Sequence, residues 1–435
     1  MTYRIGLDIG TTATKACAFG PDQRMIGFVE ADYELRHPTP GAAVQDAETV
    51  FRAAEAALTQ LVRETAGRPT VVGLSCPMHS VLLLDADYRP VSDVITWADA
   101  RGQVVMKDYS AALRRDLHAR TGTPVHPMTP LVTLRWVGQT QPQLVEKAVY
   151  YADLKSALVH RWTTDGLLID EQLGSATGMM DLATSEWLPE ALETVPCTVA
   201  NLPAIRPANT RLSWRADVAQ KLGLTGVPLY LGGSDGVLAN LGSGILECGD
   251  VAMSIGTSGA VRTTHAQCYV DPRYGLFNYK MEDGLYVVGG ATNNGGKVIA
   301  YWQQLLAAHF GSVAEFIDCA MTVDPADCPQ TTPWINGERA PIWDAAATAS
   351  LTGLRGYHKP AHLARAVLEG VTDNIIDILF QLEAVTGPTD KILASGGFTR
   401  SPEWVDLIAK RSGRAVEIAD ASQASAYGAA LVCDL

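Results

Sequence analysis

The stretch Gly6-Leu7-Asp8-Ile9-Gly10-Thr11-Thr12 near the start of the chain carries the strongest indication of the fold. Its apolar residues are typical of a buried strand, and the small residues that follow predict a tight hairpin turn. Glycine has no Cβ, so backbone N–H groups and hydroxyls in such a turn can approach an anion. We therefore interpret this turn as a phosphate-binding element.

Two further turns of this kind occur later in the chain. Ser254-Ile255-Gly256-Thr257-Ser258-Gly259 predicts a second hairpin, and Ala394-Ser395-Gly396-Gly397-Phe398-Thr399 leads from a strand into a helix whose N-terminus can face a polar ligand. Each pattern by itself is also typical of an ordinary strand turn. Three of them in this order, with carboxylates attached, predict one nucleotide held between two domains.

Composition narrows the class of protein. With 435 residues the chain is too long for a single core, so at least two domains are expected. The net charge of −13, without a Lys/Arg-rich run, argues against nucleic acid and anionic membrane as partners. No apolar run reaches membrane-spanning length, and no secretory signal opens the chain. The 8 cysteines are scattered, which indicates reduced thiols in the cytoplasm and neither a disulfide framework nor a zinc site.

The order of predicted elements suggests an internal duplication. Strands are expected at 3–9, 14–19 and 25–33, followed by an amphipathic helix over 46–65. The run Gly232-Gly233-Ser234-Asp235-Gly236 follows another predicted strand and is interpreted as the start of a second, similar half. We therefore expect domains at 1–228 and 229–435.

Several runs together resemble one known family over essentially the whole chain. The anchors are Asp8-Ile9-Gly10-Thr11-Thr12-Ala13-Thr14-Lys15, Gly232-Gly233-Ser234-Asp235-Gly236, Gly256-Thr257-Ser258-Gly259, Gly337-Glu338-Arg339-Ala340-Pro341-Ile342-Trp343 and Ser395-Gly396-Gly397. They resemble the FGGY family of carbohydrate kinases. The resemblance implies an α/β, two-domain, actin/Hsp70/hexokinase-like (ribonuclease H-like) fold with an interdomain cleft, and ATP and Mg²⁺ as cofactors.

Additional runs are most similar to the family members that phosphorylate gluconate. These are Met78-His79-Ser80, Ile95-Thr96-Trp97-Ala98-Asp99-Ala100-Arg101, His126-Pro127-Met128-Thr129-Pro130, Ser175-Ala176-Thr177-Gly178 and Asn293-Asn294-Gly295-Gly296. Two departures from the family pattern are expected to matter. Thr133 stands where a lysine is usual, with Arg135 nearby as a partial replacement, and the chain ends soon after the helix matching 424–432.

One aspartate is the expected catalytic base, and two aspartates are the expected metal partners. Asp235 matches the family's general base and follows a predicted strand in a glycine-flanked turn, although a plain turn or helix-cap aspartate has the same local pattern. Asp8, at the end of the first strand, is expected to hold Mg²⁺ through water, with Asp235 as a second metal partner.

The expected nucleotide contacts come from the three turns and from a further loop at Gly295 and Gly296. Lys15 is predicted to contact phosphate, and an exposed strand lysine is an equally good interpretation. The pair Gly396-Gly397 allows the backbone to lie against adenosine, and the pair Gly295-Gly296 forms another loop of close approach. A helix cap is an alternative explanation for each pair. The expected residues are Gly10, Thr11, Thr12, Lys15, Gly256, Thr257, Gly295, Gly296, Gly396 and Gly397.

The acceptor is expected to contact Met78, His79, Asp99, Arg101 and Asp235, with Asp170 and Ser175 as weaker candidates. A cation among hydrogen-bonding groups suits a sugar acid, which carries hydroxyls and one carboxylate. His79 also fits a buried structural histidine. Arg101 also fits a surface ion pair with Asp99.

The favoured function is ATP-dependent phosphorylation of D-gluconate to 6-phosphogluconate. A kinase for xylulose or another ketose or polyol is the first alternative, and a catalytically weak sugar-binding sensor is the second. A nucleotide-switched chaperone or filament protein shares the fold class. The expected partner is a small sugar or sugar acid, without nucleic acid or membrane, and a homodimer is left open.

Overall fold

The structure is a computed structural model that describes residues 1–244, 249–419 and 423–435. Its described residues form two compact units. The first comprises 1–244, 278–287 and 423–435, and the second comprises 249–277 and 288–419. No described helix is long and apolar enough to cross a membrane.

Strands and helices alternate along the chain. The strands are β1 (Thr2–Ile9), β2 (Ala13–Phe19), β3 (Met25–Asp32), β4 (Val44–Gln45), β5 (Arg68–Cys76), β6 (Leu82–Leu84), β7 (Val94–Ile95), β8 (Tyr150–Ala152), β9 (Leu168–Asp170), β10 (Met180–Asp181), β11 (Glu186–Trp187), β12 (Ala204–Arg206), β13 (Arg211–Leu212), β14 (Leu229–Ser234), β15 (Asp250–Ile255), β16 (Gly259–His265), β17 (Phe277–Glu282), β18 (Leu285–Thr292), β19 (Gln330–Thr332), β20 (Ser350–Thr352), β21 (Lys391–Ser395) and β22 (Ala415–Ile418). The α-helices are α1 (Ala47–Glu64), α2 (Ala111–Thr121), α3 (Pro130–Thr140), α4 (Pro142–Lys147), α5 (Leu154–Trp162), α6 (Glu171–Ala176), α7 (Pro189–Leu192), α8 (Ala216–Leu222), α9 (Asp235–Gly242), α10 (Gly296–Leu305), α11 (Val313–Ala320), α12 (Pro360–Thr386), α13 (Pro402–Ser412) and α14 (Ala424–Leu431).

The first unit is built on a six-stranded sheet of order β13-β14-β5-β1-β2-β3. β1 forms an antiparallel hairpin with β2, and its other edge pairs in parallel with β5, which in turn pairs in parallel with β14. The run Val71–Cys76 in β5 is buried throughout, as expected for a strand covered on both faces. Because β1, β5 and β14 are parallel, their carboxyl ends meet at one edge of the sheet.

Helix α14 packs on this sheet through paired glycines. Gly6 of β1 and Gly73 of β5 are register partners. A Cβ on Gly6 would lie 1.7 Å from the Ala426 carbonyl oxygen, and a Cβ on Gly73 would lie 1.8 Å from the Ala429 carbonyl oxygen. Only hydrogen fits at either position, so the helix backbone rests directly on the strands.

The second unit contains the repeat of this arrangement. A second six-stranded sheet has the order β17-β18-β16-β15-β21-β22, and of its strands β15, β16, β21 and β22 lie wholly in this unit. β15 forms an antiparallel hairpin with β16 and pairs in parallel with β21, which pairs in parallel with β22. The 27-residue helix α12 contributes a continuous apolar stripe to the core of this unit, which includes Val367, Val371, Ile375 and Leu379.

The predicted strands at the start of the chain and the helix over 46–65 correspond to β1, β2, β3 and α1. The division of the chain differs from the expected boundary at 228/229, because it falls after Gly244. The physical reason is the parallel pairing of β14 with β5, which makes β14 the last strand of the first repeat. The second repeat begins with β15. Cys248 lies outside the described residues.

Candidate active site

The carboxyl edge of the first sheet positions Asp235. Ser234 ends β14 and caps α9, where its hydroxyl accepts a hydrogen bond from the Val237 N–H at 3.3 Å. Asp235 is therefore the first residue of the helix and is half-buried, and its Oδ1 accepts from the Gly236 N–H at 2.7 Å. A carboxylate at a helix N-terminus is stabilised in its charged form. The predicted glycine-flanked turn is thus a strand-to-helix junction.

A buried amide fixes this junction from the side. The Gln172 Oε1 accepts from the Ser234 N–H at 3.1 Å, and its Nε2 donates to the Met281 carbonyl at 3.1 Å. A Cβ on Gly233 would lie 1.9 Å from the Gln172 Oε1, so glycine is required there. Sequence reasoning missed Gln172, because 62 residues separate it from Ser234 and no local pattern links them.

Asp8 lies two strands away at the same edge. Its Oδ1 accepts a hydrogen bond from the Ser75 hydroxyl at 2.7 Å, and Lys15 is its register partner on β2. Burial raises the pKa of Asp8, and the Ser75 hydrogen bond and the charge of Lys15 oppose that effect. The Lys15 ammonium lies 3.9 Å from Glu30, so its charge is shared between two carboxylates.

Asp8 and Asp235 both raise the pKa of the Cys76 thiol. Cys76 is the register partner of Ser234 at the end of β5. Burial raises its pKa well above the usual value, and the carboxylates of Asp153, Asp235 and Asp8 add to the effect. Asp8 and Asp235 therefore both lie near enough to Cys76 to affect its pKa, Asp8 on β1 and Asp235 directly after β14, the two strands beside β5.

The acidic side chains fit Mg²⁺ bound mainly through its substrate. Within residues 1–244, 249–419 and 423–435 no group of three or more His, Cys, Asp and Glu side chains is arranged to hold a metal. Mg²⁺ typically takes one or two carboxylates together with waters and phosphate oxygens. A half-buried carboxylate with a raised pKa, such as Asp8, gains from a nearby cation.

The first phosphate turn is held from several sides. The Gly10 N–H donates to the Ala13 carbonyl at 2.8 Å, and the Tyr33 hydroxyl donates to the Gly10 carbonyl at 2.7 Å. The Trp97 indole N–H donates to the Thr11 hydroxyl at 3.1 Å. This bond joins the predicted phosphate turn to the segment 95–101, which is predicted to contact the acceptor, while Thr12 remains exposed.

Asp99 and Arg101 form a half-buried, oriented pair. Asp99 is 4 % exposed, and its oxygens accept from the Ala43 N–H and from the Arg101 guanidinium at 2.7–3.0 Å. The Arg101 guanidinium lies over the Trp136 ring, 4.3 Å from its centre. The pair is therefore more ordered than an ordinary surface ion pair. Asp99 serves mainly to orient Arg101 and the segment around it.

His79 and Met78 lie in the turn after β5. His79 has φ of 66°, a left-handed backbone conformation that is uncommon outside glycine, and it is 8 % exposed. Its ring meets Tyr279 edge-on at 6.3 Å. Met78 is half-buried. The geometry fits an acceptor contact or a structural histidine.

The remaining predicted acceptor contacts and Arg135 form hydrogen bonds or ion pairs with other protein groups. Asp170 is fully buried and pairs with Lys155. The Ser175 hydroxyl donates to the Gln172 carbonyl and accepts from a backbone N–H of β17. Both are structural residues, because burial and these partners remove them from a ligand. Arg135, expected to replace the missing lysine, pairs instead with Asp108 at 3.1 Å.

In the second unit the glycine loops come together. The Gly296 N–H donates to the Gly256 carbonyl at 2.7 Å. A Cβ on Gly295 would lie 2.6 Å from the Ser258 backbone. Gly396 has φ of 99°, and a Cβ on it would lie 2.5 Å from the Ile255 carbonyl oxygen. We call the assembly of these three loops, residues 256–258, 295–297 and 396–397, the glycine cradle.

The glycine cradle fits a nucleotide. Four of its predicted contact residues are exposed, and a Cβ on Gly256 would meet nothing within 4 Å. Bare backbone can therefore approach a flat or anionic ligand there. The exposed residues are Gly256, Thr257, Gly396 and Gly397.

Glu338 braces the loop that leads into the cradle. It is fully buried and accepts hydrogen bonds from the Thr292 hydroxyl at 2.6 Å, the Asn293 N–H at 3.1 Å and the Asn374 amide at 2.8 Å. Arg339 donates to the Thr292 carbonyl at 3.0 Å. These contacts give Glu338 and Arg339 a structural role in this loop.

The comparisons with known families agree with this geometry. Residues 3–242 match the N-terminal domain of the FGGY family of carbohydrate kinases, and residues 251–434 match its C-terminal domain. The chain therefore belongs to the FGGY family and is a sugar kinase. The resemblance described from sequence is confirmed.

Individual relatives include kinases for two different acceptors. The chain is similar to a gluconokinase of Bacillus licheniformis, 32% identical over 446 residues that cover 99% of this chain and 87% of the relative. It is also similar to a xylulose kinase of Lactococcus lactis, 26% identical over 422 residues, covering 94% and 82%.

The similar solved structures also include kinases named for each of the two acceptors. A ligand-bound xylulose kinase from Lactobacillus acidophilus has a TM-score of 0.94 at 30% identity, covering 100% of this chain and 89% of that one. A gluconate kinase from the same species also has a TM-score of 0.94 at 30% identity, covering 99% and 88%. The two-domain fold is therefore firmly shared, and backbone similarity does not separate the two acceptors.

Proposed function

We propose that this kinase transfers the γ-phosphoryl group of ATP to a hydroxyl of a sugar acid, D-gluconate, giving 6-phosphogluconate. The observation that carries this proposal is the Arg101 guanidinium. It is 23% exposed and held by Asp99, and its Nη1 group has no acceptor among the residues that the structure describes. That free edge offers donors to a carboxylate.

The acceptor carboxylate is the chemical difference that matters. Gluconate carries one, whereas xylulose and glycerol carry only hydroxyl and carbonyl groups. Asp99 neutralises part of the Arg101 charge, but it also fixes the guanidinium geometry, which lowers the entropy lost on binding. Similarity to gluconokinases over 99% of the chain supports the same acceptor.

The reaction assigns separate tasks to the two aspartates. Asp235 accepts the proton of the attacking hydroxyl, and its helix N-terminal position keeps the carboxylate charged and available. Asp8 would hold Mg²⁺ through water. When bound, that ion neutralises charge on the transferring phosphate oxygens. Thr11, Thr12 and Lys15 contribute hydroxyl, amide and ammonium donors on the same edge.

The glycine cradle takes the nucleotide in this proposal. Adenosine lies against the backbone at Gly396 and Gly397, and Gly256 with Thr257 contact phosphate oxygens. The cysteines that the structure describes are free thiols, which fits a reducing compartment, and we place the protein in the cytoplasm.

A kinase for xylulose is the second candidate, because xylulose kinases are similar over most of the chain and share the fold. The two candidates predict different behaviour of Arg101. Its loss should harm a substrate with a carboxylate more than one without.

The test compares wild-type protein with Arg101→Ala on gluconate, xylulose and glycerol in a coupled ADP-release assay. A hydrogen bond to a charged group contributes about 1.5–3 kcal/mol, so kcat/KM for gluconate should fall roughly ten- to a hundredfold. Any polyol or ketose that is also phosphorylated should lose less. Arg115→Ala, at an exposed position of α2 in the same unit, should change neither value.

Equal losses on charged and uncharged acceptors would assign Arg101 to a shared hydroxyl or to the fold of its loop. Efficient phosphorylation of xylulose with none of gluconate would reject the sugar-acid proposal and favour the second candidate.

A further inference from the structure

We propose that Lys297 contacts a phosphate group of the bound nucleotide, an inference that rests on the proposed use of ATP. Lys297 follows Gly295 and Gly296 directly and is the second residue of α10. Its N–H donates to the Thr257 carbonyl at 3.3 Å. Its backbone is therefore tied to the turn that we assign to the phosphates.

The Lys297 ammonium is not neutralised by the protein around it. It is half-buried, and among the described residues no Asp or Glu forms an ion pair with it, Glu338 acting on it only as a nearby charge. Burial lowers the pKa of Lys297, and the neighbouring Arg339 guanidinium lowers it further. A partly desolvated cation next to a like charge is unfavourable unless an anion joins them.

The one acid that favours the charged lysine is already occupied. Glu338 acts on Lys297 electrostatically, but its oxygens accept from Thr292, Asn293 and Asn374. Its charge is therefore shared among these donors. Lys297 therefore places a positive charge beside the glycine cradle without an ion pair among the described residues.

A phosphate suits this excess charge better than a neutral ligand. The cradle excludes side chains at Gly295 and Gly296, so backbone and one cation remain near the ligand. Lys15, the cation predicted from sequence, shares its charge with Asp8 and Glu30. Lys297 has no such partner within the described residues, and this makes it the stronger phosphate contact.

The order Gly-Gly-Lys at the start of a helix is the sequence signal that would have identified it. A lysine directly after a glycine loop reaches phosphate oxygens in other nucleotide-binding folds. The pattern is short and was not separated from a simple close-approach loop.

The test measures nucleotide binding by calorimetry in the full chain, without acceptor. Wild type, Lys297→Met and Lys297→Arg are titrated with ATP, ADP, AMP and adenosine. Lys297→Met should weaken ATP binding roughly ten- to a hundredfold and change adenosine affinity by less than about twofold. Lys297→Arg should recover most of the ATP affinity. Lys410→Met, an exposed lysine on α13, is the matched control and should bind all four ligands as wild type does.

Two results would overturn the inference. One is wild-type ATP affinity in Lys297→Met. The other is an equal loss of adenosine and ATP affinity that Lys297→Arg does not restore, because it would show a role in the fold and not in phosphate binding. Failure of the wild type to bind any adenine nucleotide would be a different outcome, since it would refute the proposed use of ATP and this inference with it.

Discussion

Asp8 carries a cost in stability that its proposed role explains. Burial raises its pKa even though Ser75 donates a hydrogen bond and Lys15 lies opposite. An acid with a raised pKa in the folded state binds its proton more tightly there than in the unfolded chain. Its contribution to stability is therefore fully present below the usual value of 3.8 and is lost as pH rises through the folded pKa.

Asp8→Asn should accordingly raise the melting temperature at pH 7 while reducing turnover. The asparagine oxygen can still accept from Ser75, so the change removes the charge and keeps the contact. Each kcal/mol gained should raise the melting temperature by roughly 2–4 °C. The gain should shrink as pH falls toward 4, because wild-type Asp8 then becomes neutral as well.

Scanning calorimetry between pH 4 and 8 checks this expectation. Asp318→Asn, at an exposed position of α11, should show no gain at any pH. A lower melting temperature of Asp8→Asn at pH 7 would mean that the Asp8 carboxylate stabilises the fold.

The residues of the site differ in how far the sequence reveals them. Asp8, Asp235 and the glycines sit directly after strands, so a local pattern is enough to find them. Gln172 and Lys297 act through contacts with distant residues. Asp170 is only a weaker candidate from sequence, and its burial against Lys155 depends on packing that no local pattern records.

Among the elements, the contact of α14 with β1 and β5 leaves the least room for an added side-chain atom. Gly73→Ala would place a Cβ 1.8 Å from the Ala429 carbonyl oxygen, so the helix or the strand must move. Overpacking of this kind costs about 1–3 kcal/mol. The free energy of unfolding should fall by at least this amount in denaturant titration.

The matched control for Gly73→Ala is Gly356→Ala, where an added Cβ meets nothing within 4 Å. It should leave the unfolding midpoint unchanged. Equal midpoints for Gly73→Ala and wild type would show that α14 is not held at the distance described.

Elements formed by local patterning were predicted well, and those defined by distant pairing were not. The first hairpin and α1 follow from alternating and helical apolar periods. The sequence predicts a strand at 229–231 as the start of the second half, whereas β14 runs from Leu229 to Ser234 and belongs to the first repeat. Its parallel pairing with β5 joins Leu229 to Val72, a long-range contact that the sequence does not display.

On the scale of the whole molecule, one architecture is used for two tasks. Each repeat has a hairpin strand paired in parallel with a third strand, as in β1-β2-β5 and β15-β16-β21. The first repeat carries Asp8 and, after β14, Asp235. The second carries the glycine cradle. The two aspartates proposed for the reaction therefore belong to the first repeat and the glycine cradle to the second, while Thr11 and Thr12 are further proposed phosphate contacts in the first repeat.

The overall charge of −13 makes local cations important at both sites. An acidic molecule repels ATP and gluconate at long range. In the proposals above, Arg101 and Lys297 supply the attraction at short range, Arg101 while paired with Asp99 and Lys297 without an ion pair among the described residues.

In the proposed reaction, Asp235 serves as the base in phosphoryl transfer from ATP to gluconate. The most direct measurement follows product by ³¹P NMR with ATP, Mg²⁺ and D-gluconate, using wild type and Asp235→Asn, with ATP affinity measured in parallel. Wild type should form a phosphomonoester of gluconate. Asp235→Asn should lose about 10²–10⁴-fold in turnover while its ATP affinity stays nearly unchanged. Near-wild-type turnover in Asp235→Asn would show that Asp235 is not the base. If the wild type formed no phosphogluconate, gluconate would not be the acceptor.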